Sequence, residues 1–185
     1  MQHLKKPLLY LAFTACLFTA CDTNEQDVAP TDDNEAITTA TLQLTNKTNT
    51  AEVVTATVDN LTTTPNFSNA VLTLRPNTAY SARILLSDKT KTPTVDVSAD
   101  IKDEQNEHLF IYTPATGLNL TAVITDKDTN PAPGPYPLGL TADMTTGASS
   151  AGKLNVVLRH QPNAKNGTAT PGTVDLDTSF DVIIR

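Results

Sequence analysis

The chain has 185 residues, with 20 acidic against 13 basic side chains, a formal net charge of −7 and no tryptophan. That balance argues against nucleic acid and anionic phospholipid as partners, because both present negative charge; it suits calcium, a basic partner or plain solubility. Both cysteines fall within the first 21 residues, so the rest of the chain has no disulfide and no cysteine metal site.

Lys5 and Lys6 are the only charges before residue 22, and an uncharged, mostly apolar run of 14 residues follows from Pro7 to Ala20. A basic start, an apolar middle and small residues before a cut make a secretory signal, and the run is short of the roughly 20 residues a spanning helix needs. It ends Phe18-Thr19-Ala20-Cys21 and then turns abruptly polar. That ending resembles the lipobox of bacterial lipoproteins, a resemblance that implies acylation of the Cys21 thiol and a mature chain beginning there. Phe13-Thr14-Ala15-Cys16 repeats the pattern, but a cut before Cys16 leaves too short an apolar run, so Cys21 is the favoured position. Acyl chains contribute about 0.8 kcal/mol per buried CH₂, enough for several chains to anchor the protein on a membrane. Removing residues 1–20 takes away Lys5 and Lys6, leaving 11 basic and 20 acidic residues and a net charge of −9. Residues 22–35, acidic and interrupted by Pro30, read as a flexible tether. Asp22, Glu25 and Asp27 loosely resemble the surface-export signals of some gram-negative lipoproteins.

Beyond the tether the pattern becomes that of strands. Threonine occurs 30 times from Asp22 onward, and Thr and Val favour half-buried strands while Pro, Asn, Asp and Gly mark turns. Period-two alternation places Ala40, Leu42 and Leu44 on one face of 36–45, and Val54, Ala56 and Val58 on one face of 52–58. A loop is expected over 61–68. Ala70, Leu72 and Leu74 define the next strand, and Tyr80, Ala82, Ile84 and Leu86 the inner face of 78–87. Alternation fails over 94–106, where Val97 and Ile101 lie four apart; one short helical turn starting near Thr94 or Asp96 is expected. Strands resume at 107–113 and at 117–125, the latter with Leu118, Leu120, Ala122 and Ile124 inward. A proline-rich loop spans 126–137. Three more strands follow: 138–144, 151–160 with Leu154, Val156 and Leu158 inward, and 173–184. In the last, the even phase from Val174 through Leu176, Phe180, Val182 and Ile184 reads as one long edge strand.

About nine strands at this spacing predict an all-β fold over 36–185, an antiparallel immunoglobulin-like β-sandwich with one short helical turn. A jelly roll or a small barrel fits the same pattern. Several strings then become familiar together: Ile37-Thr38-Thr39, the acidic stretch ending Glu107-His108, Gly117-Leu118-Asn119, Thr125-Asp126-Lys127-Asp128, Pro137-Leu138-Gly139-Leu140, Thr146-Gly147-Ala148 and Leu158-Arg159-His160-Gln161-Pro162. With the signal, they make the chain resemble a family of short gram-negative lipoproteins that often carry the label "type 1 periplasmic binding fold superfamily protein". The resemblance implies an envelope location and supplies no mechanism. The fold named in that label has two α/β lobes, whereas the periodicity here is that of strands.

Candidate chemistry is sparse. Asp126, Asp128 and Asn130 form D-x-D-x-N, the spacing that opens many calcium loops. Pro131 and Pro137 occupy the positions where an EF-hand needs Gly and Glu, so an EF-hand is excluded; a weaker calcium site completed by carbonyls and a distant acid such as Asp143 is the remaining candidate. The competing reading, and the favoured one, is a polar loop whose Asx side chains cap turns. His108 and His160, beside Glu107 and Arg159, offer a His–Glu or His–His zinc pair, but with so few ligands the expectation is surface histidines bonded to neighbours. Tyr80, Phe110 and Tyr112 are candidate aromatics for a glycan platform, with core packing expected instead. No G-x-S-x-G elbow, phosphate-cradling loop or dinucleotide fingerprint is present. The expectation is therefore a non-enzymatic, lipid-anchored binding or structural module without cofactor or with calcium at most, its protein or glycan partner unspecified. The alternative is a calcium-stabilised surface adhesion or glycan-capture component.

Overall fold

A computed structural model describes residues 36–185; the signal, Cys21 and the tether lie outside these described residues. The strands are β1 (Thr39–Asn46), β2 (Val53–Asp59), β3 (Asn66–Asn69), β4 (Val71–Leu74), β5 (Ala79–Asp88), β6 (Val95–Asp96), β7 (His108–Pro114), β8 (Leu120–Ile124), β9 (Thr141–Thr146), β10 (Ser150–His160) and β11 (Thr173–Ile184), with one helix, α1 (Val97–Asp103). One sheet runs β3-β2-β1-β5-β9-β8, with β6 also on β5; the other runs β4-β11-β10-β7. All pairs are antiparallel except β4 with β11. The fold is an all-β sandwich, with neither sheet closed into a barrel.

Alternation explains the core. Leu42 and Leu44 of β1, Ile84 and Leu86 of β5, Leu154, Val156 and Leu158 of β10, and Phe180 and Val182 of β11 are all buried. Their polar neighbours in sequence face out, as expected when each sheet hides one face. Helix α1 starts where Asp96 accepts a hydrogen bond from the Ser98 backbone N–H. It buries Val97 and Ile101, four apart on one face, and ties itself to β5 through Leu86 N–H, which donates to Ser98 Oγ at 2.6 Å.

The structure departs from the sequence expectation in four places. Strand β3 lies in a stretch read as loop; its residues Asn-Phe-Ser-Asn are all exposed, so no alternation marks it. Strand β6 is a two-residue rung. Strand β9 begins at Thr141 rather than Leu138, because residues 138–139 first cross to the other sheet: Phe110 N–H donates to Leu138 O at 2.7 Å. Gly139 permits the crossing, with φ +96° and no room for a Cβ, which would lie 2.6 Å from Phe110 Cβ.

The fourth departure is in β11. It is not an edge strand; it lies between β10 and β4. Its phase also breaks. Leu158 opposes Leu176 but Arg159 opposes Val174, so Asp175 is the extra residue of a β-bulge. Val174 is consequently 43% exposed, while the Asp175 side chain is wholly buried.

The bulge makes a measurable contrast. Val174→Asp should change the unfolding free energy by about 0.5 kcal/mol or less, as surface substitutions do. Phe180→Ala, on the unbroken part of the same strand, should cost about 3–5 kcal/mol. Urea midpoints of the two variants test the phase; a large loss for Val174→Asp would contradict it.

Candidate functional site

Register sets the central feature. His108 opens β7, His160 closes β10, and the two stand directly opposite in the antiparallel ladder, which puts their side chains on one face. Their rings stack at 4.8 Å between centroids and 10° between planes. Neither is a surface histidine: His108 is fully buried and His160 nearly so. That corrects the sequence expectation, which placed both at exposed strand ends. These ends are covered by the 161–172 loop and the turn after α1.

Carboxylates surround the pair. Asp175, turned inward by the bulge, brings Oδ2 to 3.7 Å from His108 Nε2. Glu107, half-exposed, brings Oε2 to 3.5 Å from His160 Nε2. Glu104, at the end of α1, places its carbonyl 3.2 Å from His108 Nδ1, and its side chain lies in solvent. One ligand atom from each of Glu104, His108 and His160 can be chosen so that all three lie within 4.8 Å of one another. Burial pulls the His108 imidazole down to about 4, helped by His160 and Lys165 and opposed by the Glu104 carbonyl and Glu107. Burial likewise pushes the Asp175 carboxyl up, against the attraction of His160 and Arg159. His108 is therefore neutral at neutral pH. Its Nε2 and both Asp175 oxygens are buried without a hydrogen-bond partner.

The covering loop is firmly held. Gly172 takes φ +76°, and a Cβ there would sit 1.8 Å from the His160 carbonyl oxygen. Arg159 Nη2 donates to the carbonyls of Thr170, Pro171 and Gly172, and Gln161 Nε2 donates to those of Thr168 and Pro171. Gln161 N–H donates to the Glu107 carbonyl at 2.6 Å, which ties this loop to the turn beneath it.

The D-x-D-x-N segment is adjacent and differently used. Asp126 Oδ1 accepts from Gly139 N–H at 2.8 Å. Asp128 is buried; its Oδ1 accepts from the N–H groups of Asn130 and Tyr136, and its Oδ2 from Asn130 Nδ2 and the Lys165 ammonium, the last at 2.9 Å. Lys165 Nζ also donates to the Gln105 carbonyl, and Asn130 Nδ2 to that of Asn106. The cation beside Asp128 is thus the protein's own. Asp143, the distant acid of the calcium reading, is on β9 and pairs with Lys47. Asp126, Asp128 and Asn130 form a knot of capped turns, with both Asp128 oxygens and Asp126 Oδ1 already committed. Among the candidate aromatics, Tyr80 and Phe110 are fully buried, and Tyr112 is half-buried with its hydroxyl donating to the Gly139 carbonyl at 2.7 Å. Tyr112 and Phe110 line a shallow apolar groove of about 460 Å³ with Val123, Ile124 and Pro137, where β7 and β8 meet.

Sequence reasoning singled out both histidines and the D-x-D-x-N segment, and passed over Glu104, Lys165 and Asp175. Nothing local marks Lys165, which reaches Asp128 from a loop after β10. Asp175 sits one residue out of the phase on which its strand was read.

The Asp128–Lys165 pair makes two expectations. Lys165→Ala leaves a buried carboxylate unpaired and should cost about 3–5 kcal/mol in denaturant unfolding. Burial raises the Asp128 carboxyl, but the Lys165 and Asn130 side chains and two backbone N–H groups outweigh it and hold it below the ordinary carboxylate range. A carboxyl held low in the fold contributes stability that is present above its unfolded value, about 3.9, and is lost as pH falls through the folded one. Stability should therefore fall below about pH 4, and Asp128→Asn should flatten that acid limb; an unchanged limb would show that other carboxyls control it.

No protein-family model, no curated protein and no solved structure matches the chain, so what can be said of its function rests on these residues.

Proposed function

We propose that the protein is a membrane-anchored envelope lipoprotein whose β-sandwich serves as a non-enzymatic binding or structural module. The observation that carries this reading is Cys21, placed directly after Phe18-Thr19-Ala20 at the end of the apolar run that follows Lys5 and Lys6. Among the described residues no helix is long and apolar enough to cross a membrane, and the reading assigns attachment to acyl chains on Cys21. The stretch from Cys21 to Thr39 reaches at most about 60 Å when fully extended, so the domain works close to the bilayer. The acidic surface favours a protein or glycan partner over nucleic acid. The calcium-stabilised alternative finds less support, because the Lys165 ammonium already neutralises Asp128.

Metabolic labelling with an alkyne-bearing palmitate in a gram-negative host tests the anchor. The wild-type chain and Cys16→Ala should be labelled and partition into detergent, and Cys21→Ala should do neither. Persistent labelling or membrane retention of Cys21→Ala would refute the anchor. Protease added to intact cells then decides the leaflet: digestion places the domain outside, and protection until the outer membrane is breached places it in the periplasm.

A further inference from the structure

We propose that Glu104, His108 and His160 form a binding site for one divalent transition-metal ion of the zinc type. The three donors converge from elements that the fold fixes separately. Ladder register places the two imidazoles side by side. Glu104 terminates α1 four residues before His108, and its carbonyl accepts a hydrogen bond from Nδ1 of that ring at 3.2 Å, which keeps the two residues together.

The distances are close to what zinc needs. The donor atoms lie within 4.8 Å of one another. Zinc holds nitrogen and oxygen at about 2 Å, so donors on its tetrahedron are about 3.3 Å apart. Closing the difference takes a change of rotamer at exposed Glu104 and a splaying of the two imidazoles from their 10° stack.

A second observation concerns the far side of the His108 ring. His108 Nε2 and both oxygens of Asp175 are buried and unpartnered. Native folds satisfy buried polar groups, so such a concentration needs a reason. An ion on His108 Nδ1 takes the place of the hydrogen bond that Nδ1–H donates to the Glu104 carbonyl and moves the ring proton to Nε2, the atom that faces Asp175 at 3.7 Å. Metal-bound histidines characteristically turn their other nitrogen to a carboxylate. Glu107 stands in the same relation to His160, at 3.5 Å. Each imidazole thus has a carboxylate behind it, and the one behind His108 is there because β11 bulges. Two imidazoles with a carboxylate suit zinc and its neighbours rather than calcium or magnesium, which take oxygen ligands. Glu104 lies in solvent, so an ion can enter from that side and keep water as its fourth ligand.

The test uses the full chain, purified in detergent and stripped with a chelator. Zinc chloride titrated against a chromogenic competitor should load one equivalent per chain and raise the melting midpoint; calcium chloride should do neither. Glu104→Gln leaves the buried residues untouched, should keep the β circular-dichroism spectrum, and should weaken zinc binding at least roughly tenfold. Asp175→Asn should weaken it by about 10–100-fold without removing a ligand. Failure of the wild-type chain to take up stoichiometric zinc would overturn the proposal. So would undiminished uptake by folded Glu104→Gln, or equal uptake of calcium.

Discussion

The buried ammonium of Lys165 is the point on which one end of the sandwich depends. It contributes to a single knot that joins the turn after α1, the proline-rich loop after β8 and the loop after β10. Its three donors leave little slack: one goes to the Asp128 carboxylate and one to the Gln105 carbonyl. A charge so placed is costly to desolvate, and burial indeed draws its pKa below the ordinary lysine value, with Asp128 pulling the other way. What the arrangement supplies is position. It ties Gln105, in the turn after α1, to the loop that follows His160, and so fixes the surroundings of the two imidazoles.

Most of the fold was legible because it is written in alternation. Most of the nine expected strands carry apolar residues at alternate places, and those residues fill most of the core; β7 instead buries His108, Leu109 and Phe110 in succession. The two strands that escaped notice, β3 and β6, have no buried side chain and exist only as ladder rungs on neighbours. The helical turn was visible from Val97 and Ile101 and from Asp96, whose carboxylate caps it. What alternation cannot carry is a change of phase. Asp175 was hidden for that reason, since Val174, Leu176 and Phe180 keep an unbroken even spacing in the sequence while the chain takes an extra step in space.

The site was half legible. His108 and His160 stood out as the only histidines after His3, but nothing in the sequence states that residue 108 will oppose residue 160. That pairing follows from the order β11-β10-β7, a property of the whole sheet. The D-x-D-x-N spacing was equally visible and more misleading, because the same oxygens that can wrap calcium can cap turns and receive a lysine. Which use is made depends on a cation brought from a loop far along the chain.

The position of β11 has a consequence for how the domain comes into being. Val71 of β4 finds its ladder partner at Asp181, 110 residues further on, and the strand that separates β4 from β10 is the last to be synthesised of all those described. Until it arrives, β4 has no neighbour in its sheet and the edge of β10 away from β7 has no partner. Closure is therefore non-local and slow in principle, and it comes late in synthesis. A chain organised in this way keeps its smaller sheet incomplete until the last of the described strands has been made.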